Sequence, residues 1–151
     1  MSDRPIFYVD RCLGKAVAKA LRAAGASVEI HDDHFAQDAA DEHWIREVTA
    51  RGWVILTKDK NIRRRAGERE AVLTSNARII TLSSGNMRGE VMAALFVGHL
   101  AQMAALVASQ PPPFVAVLSP GGLQIVFPRP APPTAPNDGD NEAPPAEQDN
   151  A

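Results

Sequence analysis

Short apolar runs alternate with stretches of helical periodicity through residues 1–127, and this alternation limits the fold more than any other feature. Apolar runs of about five residues make strands, 3.6-residue repeats make helices, and their alternation demands a parallel sheet with helices crossing over its faces. Pro5 to Val9 (PIFYV), Ser27 to His31 (SVEIH), Trp53 to Thr57 (WVILT) and Arg78 to Leu82 (RIITL) are the expected strands. The third is nearly unbroken in apolar character, as a central strand covered on both faces should be. Leu13, Val17, Ala20, Leu21 and Ala24 recur at helical spacing, with Gly25 at the expected C-cap. Trp44, Ile45 and Val48 mark a second helix stopping at Gly52, and a third is expected from about Glu68 to Ser75. One long helix is expected from Met87 to Ala108, ended by Pro111 to Pro113. Phe114 to Leu118 and Leu123 to Phe127, around Ser119-Pro120-Gly121-Gly122, predict a terminal hairpin.

The expected class is therefore α/β, with a mainly parallel central sheet flanked by helices and a C-terminal hairpin. Residues 1–127 are long enough for one domain with a core and too short for two. Composition enters at Pro128. The chain as a whole carries 16 Lys and Arg against 18 Asp and Glu, but residues 128–151 hold one base and five acids, leaving 15 bases and 13 acids in the domain. Seven of the twelve prolines also lie in that tail, with no aromatic after Phe127, so it is expected to be disordered.

A lone cysteine, Cys12, excludes a disulfide framework and a thiolate-rich zinc site, and it fits a reducing compartment. Ile6 to Val9 is too short for the core of a secretory signal. Val91 to Ala108 carries His99 and Gln102 at its middle, which suits a buried or amphipathic helix better than a spanning one. A cytoplasmic protein is expected.

Parallel strands end on one edge, and ligands collect outside those carboxyl ends. Asp10 follows the first strand directly, and Asp59 follows the third by two residues. A crossover helix runs antiparallel to the strands, so its N-terminus, where Asp41 stands, lies at the same edge. Asp41 precedes Trp44, Ile45 and Val48 by three, four and seven residues, which places it on the buried stripe of its helix. Three carboxylates converging in this way raise one another's proton affinity unless a cation sits between them. Hard oxygen donors without thiolates or paired imidazoles favour Mg2+ or Mn2+.

Such a metal could orient a phosphodiester and generate hydroxide from water. The matching electrostatics follow Asp59: Lys58, Lys60, Arg63, Arg64, Arg65 and Arg69 crowd into twelve residues, and Arg11 adjoins Asp10. A basic rim around an acidic centre is what a metal-dependent nuclease requires.

The order of Asp10 after a strand, a helix-borne acid in DEHW (Asp41 to Trp44) and TKDKN (Thr57 to Asn61) after an apolar strand resembles the PIN nuclease superfamily. The similarity is closest to the compact PIN-like domains of VapC-type toxins from toxin–antitoxin operons and covers about residues 5–127. It implies a Rossmann-like PIN fold, an RNA substrate, cleavage dependent on Mg2+ or Mn2+ and a cognate antitoxin. By position, Asp10, Asp41 and Asp59 would be the catalytic, metal-binding acids, and Thr57 would help hold the site. Arg11, Lys58, Lys60, Asn61, Arg63 and Arg64 would meet the substrate. Many PIN domains have a further acid soon after the T-x-D aspartate, where this chain has Asn61. The family is often dimeric, and the apolar face of the long helix could serve such an interface.

Other chemistries compete for the same residues. Asp10 and Asp59 could each merely cap a turn. Glu42 would replace Asp41 if the helix were rotated by one residue, and Ser83, at the carboxyl edge, could bind phosphate or water. His31-Asp32-Asp33-His34 has the letters of a transition-metal cluster, or of a polar loop. A catalytically inactive RNA- or protein-binding module is the main alternative function. A phospho-acceptor receiver domain would need a lysine after a fifth parallel strand; Phe114 to Gly122 has none, and the Pro triplet before it favours a hairpin over a crossover.

Overall fold

The computed structural model describes residues 4–59, 62 and 65–127. The expected tail from Pro128, and Lys60, Asn61, Arg63 and Arg64 among the expected substrate contacts, lie outside the described residues. Strands β1 (Ile6–Val9), β2 (Ser27–Ile30), β3 (Val54–Thr57), β4 (Arg78–Leu82), β5 (Phe114–Ser119) and β6 (Gly122–Phe127) form one sheet in the order β2-β1-β3-β4-β5-β6. The first five are parallel, and β6 pairs antiparallel with β5 as the second arm of a hairpin. Helices α1 (Lys15–Ala23), α2 (Asp41–Ala50), α3 (Ala66–Ser75), α4 (Gly89–Gly98) and α5 (Leu100–Ser109) make the crossovers.

The strands alternate their buried side chains between two cores, as the two-residue repeat of a strand requires. Phe7, Val9, Val54, Leu56, Ile80 and Leu82 face one side with α1 and α4, where Val17, Leu21, Met92 and Phe96 fill the layer. Tyr8, Ile55, Ile79 and Val115 face the other, against Trp44, Ile45 and Val48 of α2 and Ala71 and Val72 of α3. Burying an indole as fully as that of Trp44 contributes on the order of 3 kcal/mol, and it fixes the rotation of α2 about its axis.

Two expectations are corrected. The stretch from Met87 to Ala108 is two helices, not one: α4 and α5 are bent by 58° at Gly98–His99. Gly98 gives up the side chain that would favour continuation, while His99 Nδ1 donates back to the Leu95 carbonyl at 3.0 Å. The bend lets Met92, Phe96 and Met103 all bury in the same core, so much of the apolar face considered for a dimer interface is core. No single described helix is long and apolar enough to cross a membrane. Secondly, Phe114–Ser119 is a fifth parallel strand, reached by a crossover through α4 and α5, so the Pro triplet precedes a parallel strand as well as a hairpin. The receiver alternative still lacks its lysine.

The chain leaves β1 in one direction to β2 and returns on the other side to β3, so the strand order reverses between β1 and β3. In open α/β sheets the crevice at such a reversal, outside the carboxyl ends, is where ligands bind. Asp10 directly follows β1, and Thr57 ends β3.

Candidate metal centre at the carboxyl edge

Asp10 is nearly buried, with 7% of its surface exposed. It precedes a single 3-10 turn (Arg11–Leu13), but its carboxylate does not cap that turn. Instead Thr57 Oγ1 donates to Asp10 Oδ2 at 2.8 Å, and Cys12 Sγ donates to the same oxygen at 3.2 Å. Thr57 Oγ1 also accepts the backbone N–H of Asp59 at 3.1 Å. One hydroxyl thus ties the end of β1 to the turn that presents Asp59. Burial, and then the Asp10 charge, push the Cys12 thiol up to about 11, so it stays a neutral donor.

Asp41 opens α2 as its first helical residue, after Ala40, and Trp44 Nε1 donates to its Oδ1 at 2.8 Å. The i to i+3 spacing that buries the indole therefore also orients the acid. Asp41, Asp59 and Glu68 each present a carboxylate oxygen, and these oxygens all lie within 4.8 Å of one another. Among the described residues this is the only such group of three or more acids, cysteines or histidines. Asp10 lies outside that triple, although Thr57 links it to Asp59.

Glu68 was not anticipated from the sequence. It lies in the first turn of α3 and is buried, with 7% exposure. The signal was present: Glu68 precedes the buried Ala71 and Val72 by three and four residues, the same intervals that place Asp41 above Trp44 and Ile45. Burial, followed by the neighbouring Asp41, pushes its carboxyl up to about 7, against the opposing pull of Arg65. Arg65 Nη1 donates to Asp59 Oδ2 at 2.6 Å and to Glu68 Oε1 at 2.7 Å. Arg11 Nη2 stands 3.9 Å from Asp41 Oδ1.

The donor set suits a hard divalent cation. In an octahedron with bonds of about 2.1 Å, neighbouring oxygens lie roughly 3.0 Å apart and opposite ones roughly 4.2 Å apart, so three oxygens within 4.8 Å of one another draw together on sharing one ion. A raised Glu68 pKa also has a measurable consequence without metal. Between about 4.5 and 7 the folded state holds a proton that the unfolded chain has released, so stability falls as pH rises through that window. Metal-free protein should lose several degrees of melting temperature between pH 5 and pH 8, and Glu68→Gln should flatten that slope in thermal melts. A slope unchanged by the substitution would assign the titration to another group.

The remaining expected residues are dispersed. Lys58 is half-buried directly after β3, Arg11 is partly exposed beside Asp41, and Ser83 is exposed after β4. Glu42 is exposed and lies over α3, where a Cβ on Gly67 would meet its Oε2 at 2.3 Å. The histidine-rich loop does not gather as a metal cluster: His31 is 1% exposed and bonded to Tyr8, whereas His34 pairs with Glu29 at 2.7 Å.

Comparison with known proteins agrees with this architecture. The family described as PIN like domain matches residues 5–84, which include Asp10, Asp41, Asp59 and Glu68. A Mycobacterium tuberculosis (strain ATCC 25618 / H37Rv) protein named "Putative ribonuclease VapC45" is 34% identical over 132 residues, covering 84% of this chain and 95% of that protein. No solved structure matches. More than half of the chain matches the family, and the similarity to the mycobacterial protein extends through most of the rest, so the chain belongs to the PIN-like domain family.

Proposed function

We propose that the protein is a metal-dependent endoribonuclease and the toxin of a toxin–antitoxin pair, with RNA as substrate and a cognate antitoxin as partner. The observation that carries this reading is the acidic triple at the carboxyl edge, with Arg65 and Arg11 against it. The ribonuclease name of the mycobacterial relative supports it. Asp41, Asp59 and Glu68 would hold Mg2+ or Mn2+, with Asp10 adding its charge from the end of β1. When bound, the cation supplies a water of lowered pKa and neutralises charge on the phosphate.

The protein's own groups do the rest. Thr57 keeps Asp10 and the Asp59 turn in register, and Trp44 fixes Asp41. Arg11 and Lys58, with Lys60, Asn61, Arg63 and Arg64 of the same basic segment, would bind the phosphates of the strand. Asn61, where many relatives have an acid, was the main reason to consider an inactive binding module. Glu68 weakens that reason, because it brings a third carboxylate to Asp41 and Asp59.

The test is incubation of the full chain with mixed RNA and Mg2+ or Mn2+, beside EDTA controls and the Asp10→Asn and Asp59→Asn variants. Cleavage that requires metal and disappears in both variants is expected. Retained RNA binding with no cleavage under either metal would replace the nuclease by the binding module.

A further inference from the structure

Outside the carboxyl ends of β1 and β2 lies a cavity of about 230 Å3. It adjoins the acidic triple without being part of it. Ile30 and the buried Val9 give it apolar wall, Arg11 and Lys15 line it with positive charge beside the acid Asp10, and Asp32 and Gln37 stand on its loop side. This is the anatomy of a small-molecule subsite: apolar surface with a few polar groups that orient the occupant.

Arg11 joins the cavity to the acids. Its Nη2 faces Asp41 at 3.9 Å, while its Nη1 lies 3.2 Å from His31 Nε2. That second approach is not a hydrogen bond. His31 Nε2 is 2.9 Å from the Ala36 carbonyl, which can only accept, so Nε2 carries the proton. Nδ1 is then the acceptor of the Tyr8 hydroxyl, whose proton is retained because burial pushes the phenol far up. Two donors therefore face each other, and among the described residues Arg11 is held by a long ion pair with a partly exposed acid. Such a guanidinium is poised for a phosphate.

On the loop side, Gln37 Nε2 donates to Asp32 Oδ1 at 2.9 Å. The amide restrains a carboxylate that can only accept. A base edge rich in donors suits it, and guanine is best, because its N1–H and N2–H groups can face one carboxylate together. Uracil would set its O2 and O4 acceptors against the same negative charge. Single-stranded RNA is recognised through unstacked bases of this kind, read on their Watson–Crick edges.

We propose that this cavity binds the nucleotide adjoining the scissile phosphate and selects guanine there. Its base lies on Ile30 with the Watson–Crick edge at Asp32, and its phosphate lies on Arg11 and Lys15. The proposal rests on the ribonuclease reading for the identity of its ligand, but its test does not require cleavage.

Fluorescence anisotropy of labelled six-nucleotide RNAs is measured on the full chain in EDTA, comparing all-uracil with uracil carrying one guanine. The guanine RNA should bind about tenfold tighter, the worth of one good base-edge contact. Asp32→Asn, and separately Gln37→Ala, should reduce that discrimination to under about threefold. Lys15→Gln should weaken both RNAs alike, as a phosphate contact does. Absence of discrimination in the unsubstituted protein, or discrimination unchanged by Asp32→Asn, overturns the proposal. A parallel arm with Mn2+ separates the two ideas: discrimination without any cleavage removes the nuclease reading and keeps the guanine subsite.

Discussion

Glu68→Gln is expected to lower metal-dependent RNA cleavage by on the order of a hundredfold, while the metal-free protein becomes no less stable near pH 8. The two effects have one cause. Glu68 is a buried acid crowded by Asp41 and Asp59, and its carboxyl is pushed up to about 7 first by that burial. At pH 8 the wild-type fold must carry its negative charge beside Asp41, with Arg65 Nη1 donating to its Oε1 at 2.7 Å. The amide has the same shape, keeps a carbonyl for Arg65 and removes the charge, so the metal-free fold loses a repulsion. With metal the balance reverses, because an amide oxygen is a weaker donor than a carboxylate to a hard cation. Calorimetry with Mn2+, thermal melts and a cleavage assay read the three quantities separately. Cleavage and Mn2+ affinity at the wild-type level would leave Glu68 a structural partner of Arg65 and return the metal site to the aspartates alone.

The contrast between Asp41 and Glu68 shows what the sequence discloses. Both acids open a helix at the carboxyl edge, and both stand three and four residues before buried side chains. Asp41 was legible because Trp44, Ile45 and Val48 make an unmistakable stripe. The stripe of α3 rests on Ala71 and Val72, small side chains beside Arg65 and Arg69, so the charge run masked the periodicity. The register of the strands was legible for the opposite reason: each is a compact apolar run whose alternation feeds two cores. What local pattern could not supply was the pairing across segments. Thr57 joining Asp10 to Asp59, or Tyr8 bonding His31 from a neighbouring strand, depends on β1 lying between β2 and β3. The break at Gly98–His99 was likewise hidden, since the apolar repeat runs through it.

Arg65→Ala is expected to move metal affinity in the direction opposite to Glu68→Gln. Arg65 Nη1 sits 2.6 Å from Asp59 Oδ2 and 2.7 Å from Glu68 Oε1, with Nη2 3.4 Å from Asp59 Oδ1, so its guanidinium engages two of the three acids that would hold a cation. Both carboxylates hold its proton more firmly than usual. A divalent ion bound by the same oxygens must weaken those hydrogen bonds, and part of its binding energy is spent on the exchange. The side chain is 49% exposed, so solvent screens the pairs and each contributes modestly, about 1 kcal/mol or less. Removing both should tighten Mn2+ binding by up to about tenfold, since 1.4 kcal/mol is one decade. The metal-free protein should meanwhile melt several degrees lower at pH 8, because three acids within 4.8 Å lose a counter-cation. The Mn2+-induced rise in melting temperature should therefore be larger in the variant than in the wild type. Weaker Mn2+ binding by Arg65→Ala would show instead that the guanidinium aligns Asp59 and Glu68 for the metal, and the two acids would then need Arg65 in place to act as one site.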